Sequence, residues 1–61
     1  MKLVYDAQAD AAYLYIAGEK PKVTKTVTAT SEINLDFDAE GRLVGVEVTQ
    51  ASHVLPKTVL K

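Results

Sequence analysis

The sequence predicts a mainly β fold, at the margin of α+β: an antiparallel meander of about five strands with a short C-terminal helix packed on one face. Three observations carry this. Apolar and polar residues alternate in period two through most of the chain, the signature of half-buried strands. A turn or short connection follows each alternating run, and parallel neighbours would need a crossover of a dozen or more residues. The period then changes after Gln50. With 61 residues, residues 1–61 form one small β domain.

Lys2 to Tyr5 reads as a first strand, ended by Asp6-Ala7-Gln8-Ala9-Asp10, whose small and acidic residues suit a tight or helical turn with Asp6 as N-cap. From Ala11 to Ala17 the alternation places Ala12, Leu14 and Ile16 on one face and Tyr13 and Tyr15 on the other. Gly18-Glu19-Lys20-Pro21 holds two turn residues. Lys22 to Thr30 is a third strand of Val and Thr, with Thr24, Thr26 and Thr28 opposite Val23, Val27 and Ala29. Lys25, on the Val side, points to an edge position or a loosely covered end.

Ser31-Glu32 leads into Ile33 to Phe37, and Asp38-Ala39-Glu40-Gly41 turns the chain into Leu43 to Thr49, with glycine where a hairpin needs a positive φ. Ala51, Val54 and Leu55 then fall on one helical stripe stopped by Pro56. The tail, Lys57 to Lys61, either extends the helix after Pro56 or pairs as an added strand on a neighbour. The expected core face carries Leu3, Leu14, Ile16, Ile33, Leu35, Phe37, Val44, Val46 and Val48. Strand order stays open.

Apolar residues make up 48% and charged residues 25% of the chain, the balance of an ordinary globular protein. A domain this small gains only about 3–5 kcal/mol from its core. Without cysteine, disulfides and thiolate zinc sites are closed to it. Self-association is the remaining support, with a dimer favoured. The net charge of −1, without a basic stripe, argues against nucleic acid. No apolar run approaches the roughly 20 residues of a membrane helix. The early Asp6 interrupts a signal-peptide core, so cytoplasm is the expected compartment.

Asp36, Asp38, Glu40, Gly41 and Glu47 fall at positions 1, 3, 5, 6 and 12 of a calcium loop. The flanks alternate in period two where such a loop needs helices, so a hairpin turn is the preferred reading and neither metal nor cofactor is expected. His53 is the sole histidine and reads as a polar surface residue. Ser31 and Ser52 lack a nucleophile elbow. Asp6 and Asp10, paired across the first turn, suit turn and cap roles better than acid–base work. No catalytic residue is assigned. Tyr13 and Tyr15, with Leu43 and Gly45 on the same sheet face, form the candidate interaction patch.

Tyr5-Asp6, Ala9-Asp10-Ala11, Tyr13-Leu14, Asp36-Phe37-Asp38, Gly41, Val44-Gly45-Val46-Glu47 and Ala51-Ser52, taken in order, resemble the small prokaryotic family catalogued as domain of unknown function number 2283. The resemblance implies a small β-rich fold, no established activity, and some members beside small toxin-like proteins. It makes Asp6, Asp10 and Glu47 polar candidates shared with the family motif. The reading leans to a non-enzymatic interaction module, a homo-oligomer or the partner of another small protein of the toxin–antitoxin kind. The alternative is a minimal enzyme or small-ligand binder whose pocket forms between subunits, drawing on Asp6, Asp10, Glu47 or His53.

Overall fold

The computed structural model describes residues 1–18 and 21–60. Glu19 and Lys20, in the Gly18–Pro21 turn, and Lys61, in the tail, lie outside the described residues. Five strands, β1 (Lys2–Asp6), β2 (Ala11–Tyr15), β3 (Lys25–Thr30), β4 (Ile33–Phe37) and β5 (Leu43–Thr49), precede one helical turn, α1 (Ala51–Val54). They form one sheet, antiparallel throughout, in the order β1-β2-β5-β4-β3. Chain neighbours are sheet neighbours except that β2 and β3 stand apart, with β5 and β4 between them.

The expected strands Ile33 to Phe37 and Leu43 to Thr49 match β4 and β5. The two longer expectations, Ala11 to Ala17 and Lys22 to Thr30, shorten to Ala11–Tyr15 and Lys25–Thr30. Single ladder bonds still reach beyond them, with the amide of Ile16 donating to Val44 (3.1 Å) and that of Thr24 to Phe37 (2.8 Å). β3 lies at the edge, one of the two positions that Lys25 pointed to.

The Asp6 carboxylate accepts the amides of Gln8 (3.0 Å) and Ala9 (3.4 Å), the pattern of an N-capping side chain. In the β4–β5 hairpin Asp38 accepts the amides of Glu40 and Arg42, and Gly41 takes a φ of 79°, which L side chains rarely adopt. α1 ends where Leu55, held extended at φ −106° and ψ 148°, meets Pro56. After Pro56 the tail does not extend the helix. It makes a turn, with the amide of Val59 donating to Pro56 and that of Leu60 to Lys57, and this turn lays Leu60 on the core.

Candidate functional site

Cross-strand partners share a sheet face, so the register sorts the side chains. One apolar row runs Tyr5, Ala12, Val48, Ile33 across four strands, and the next runs Leu3, Leu14, Val46, Leu35, Val27 across all five. α1 and the tail cover the first row. Ala12 and Val48 are buried there against Ala51, with Val54, Leu55 and Leu60 packed around them. No member of the second row is fully buried, though Leu3 and Val46 pack against the covered cluster, and Val46, at the centre of the sheet, is partly buried between Leu14 and Leu35. The apolar face is therefore roofed at one end and less covered towards the other, where Val44 is nonetheless buried. A groove at the open end is lined by Lys25, Val27, Phe37 and Asp38.

The roof is tied down by Asp10. Its carboxylate accepts the Tyr5 hydroxyl (2.8 Å), the Ser52 amide (3.0 Å) and the Ser52 hydroxyl (2.7 Å), and its backbone carbonyl accepts the Ala51 amide (2.8 Å). The first amides of a helix have no partner within it. Gln50, at the N-cap, makes no side-chain cap bond, so Asp10 caps α1 from the far side of the chain. Both Asp10 (φ 50°) and Gln50 (φ 48°) adopt left-handed backbone to meet, a conformation that Asp tolerates better than most residues. The Ser52 and Tyr5 hydrogen bonds hold the Asp10 carboxyl below its ordinary range. The hydrogen bond to Asp10 raises the Tyr5 phenol.

The opposite face is polar. The Tyr13 hydroxyl donates to Asp36 (2.6 Å), which also accepts Thr26 (2.7 Å), while Asn34 donates to Glu47 (2.9 Å) and accepts Thr28 (2.9 Å). To reach Asp36 on β4, the Tyr13 ring passes over β5 at Gly45. A Cβ there would overlap the Tyr13 hydroxyl and ring, with Cε2 at 2.8 Å. Burial and the Asp36 carboxylate both push the Tyr13 phenol up. Tyr15 meets Tyr13 edge-on, ring centroids 4.6 Å apart. Leu43 is 37% exposed at the start of β5 and pairs with Phe37.

The sequence-derived candidates thus fall into separate places. Asp6 holds its own turn, Asp10 the helix, and Glu47 the polar face, while His53 lies exposed in α1. Each calcium-loop carboxylate has its own donors. Asp36 takes Tyr13 and Thr26, Asp38 takes Arg42 and the turn amides, Glu40 takes Arg42 at 3.1 Å, and Glu47 takes Asn34. The Arg42 amide first and its guanidinium next hold Asp38 below its usual range. Among the described residues, no three His, Cys, Asp or Glu side chains stand together as a metal site. None of their helices is long and apolar enough to cross a membrane.

Two arrangements escaped residue-by-residue reading: the Tyr5–Asp10–Ser52 cap and the Tyr13–Asp36 bridge over Gly45. Their signal was present in the ordered motif, which includes all six residues.

A single antiparallel sheet, apolar on one face and hydrogen-bonded on the other, with one helical turn capped by a distant aspartate, defines a small single-sheet β domain. The chain belongs to the family described as protein of unknown function (DUF2283), whose model matches residues 2–52. The matched segment contains both side-chain arrangements and ends at Ser52. No curated protein and no solved structure matched the chain.

Proposed function

We propose that this domain is a non-enzymatic protein-interaction module whose working surface is the open end of its apolar sheet face. One observation carries the reading: the row Leu3, Leu14, Val46, Leu35, Val27 crosses all five strands and none of its members is fully buried. Domains are stable when two layers of secondary structure bury a common core. Here the second layer is four helical residues and a turned tail over one end. A partner that supplies the rest of that layer removes apolar surface from water at about 25 cal/mol per Å². The mixed surface charge and net charge of −1 suit a protein partner in solution better than a nucleic acid.

Tyr13 and Tyr15 remain half-exposed, yet the Tyr13 hydroxyl is already bonded to Asp36. They add a smaller, second contact surface. Native mass spectrometry of the chain, purified gently from its own host, tests the proposal. A second copy or a stoichiometric second protein is expected. A bare monomer at every concentration would refute it.

A further inference from the structure

Resting on that reading, we infer that the occupant of the open face is a second copy of this chain, seated face to face across a two-fold axis. Shape and area lead to this partner. The molecule is a slab, 33 × 23 × 17 Å, with a radius of gyration of 11.4 Å, against about 10.5 Å for a compact domain of this length. It exposes 4386 Å², whereas a folded monomer of 6.6 kDa exposes about 3,900 Å². If each copy hides the excess, the pair withdraws about 1,000 Å², the lower bound of a specific interface. Two sheets packed about 10 Å apart then make the two-layer sandwich that one copy lacks.

The geometry is self-complementary. α1 occupies one end of the face, so a two-fold axis in the plane between the sheets sets open end against open end and leaves both helices on the outer flanks. The groove at the open end carries Lys25 and Asp38, and Asp38 is already paired with Arg42. With a net charge of −1 per chain, repulsion between copies is slight.

Sedimentation equilibrium on the full chain and three variants tests this, with circular dichroism confirming that each is folded. Val27→Asp places a carboxylate in the open row at a site 38% exposed, and Val4→Asp places the same group on the polar face at a site 43% exposed. Neither change burdens the monomer. Val46→Thr keeps the shape of the central residue and adds a hydroxyl. The expected result is a dimer in the wild type. Val27→Asp weakens it by about a hundredfold or more, because two unpaired carboxylates are desolvated per dimer. Val46→Thr weakens it by roughly tenfold through a buried hydroxyl, and Val4→Asp leaves it unchanged.

A dimer that tolerates Val46→Thr but not Val27→Asp would be joined edge to edge through β3, and a dimer broken by Val4→Asp would use the polar face. Either outcome overturns the inference. A monomer that carries a foreign protein on this face in native mass spectra overturns the second copy and leaves the interaction module standing. A monomer with no partner overturns both.

Discussion

Replacing Gly45 by alanine tests the bridge between β2 and β4, because ordinary backbone energetics predict the opposite sign. Gly45 lies outside the left-handed region, and the three atoms nearest its added Cβ all belong to Tyr13. Without that ring, alanine stabilises the chain by about 0.4–1 kcal/mol, since it narrows the unfolded ensemble. With the ring present, Tyr13 must swing aside. It then loses its bond to the Asp36 carboxylate, a class worth about 1.5–3 kcal/mol and taken at the lower end because both side chains are half-exposed. Leaving its rotamer well adds about 0.5–1.5 kcal/mol. The net cost of Gly45→Ala is about 1–2 kcal/mol, a fall in Tm of roughly 5–15 °C for a domain of this size.

In a Tyr13→Ala background the same substitution becomes stabilising, which gives a coupling of about 2 kcal/mol between positions 13 and 45. Thermal and urea unfolding of the four proteins, followed by circular dichroism at one protein concentration, measures it. Equal effects of Gly45→Ala in both backgrounds, or a stabilised single variant, would refute the reasoning.

Three further outcomes are expected. Asp10 has a folded pKa below its unfolded value, so its contribution is complete above the unfolded value and is lost as pH falls through the folded one. Asp10→Asn should therefore be less stable at neutral pH and show a shallower loss of stability from about pH 4 downwards, as urea midpoints across a pH series will record. Gly41→Ala meets no neighbouring atom yet must hold a φ of 79°, at a cost of about 1–2 kcal/mol visible as a lower Tm. Millimolar calcium should leave Tm within about a degree, because the loop carboxylates already serve protein donors, and a rise of several degrees would contradict that assignment.

The strands were legible because period-two alternation reports burial directly. Ile33–Phe37 and Leu43–Thr49 alternate without a break and emerged with their ends in place. Lys22 to Thr24 is as β-branched as the strand it precedes, but only Thr24 finds a ladder partner in Phe37, and propensity does not say where a partner ends. The order of the strands is a long-range fact that no local window contains. The site divides in the same way. Asp6 and Asp38 bond amides within four residues and were read as turn residues, whereas Asp10 reaches 42 positions along the chain. Leu3, Leu14, Leu35 and Val46 of the second apolar row were read as core, whereas Val27 was not, and how little of that row is covered depends on α1 being four residues long.

β5 comes last among the strands yet lies at the centre of the sheet, and this governs how the chain can be made. Before residues 43–49 exist, β1–β2 and β3–β4 are two separate hairpins, each marginal in water. Synthesis from the N-terminus therefore yields no five-stranded sheet until β5 has been made. A fragment of residues 1–42 should stay largely unstructured, and a peptide of residues 43–60, carrying β5, the helical turn and the tail, should restore the sheet when added in trans. The pairing of distant segments also predicts folding on the millisecond-to-second scale of non-local β topologies.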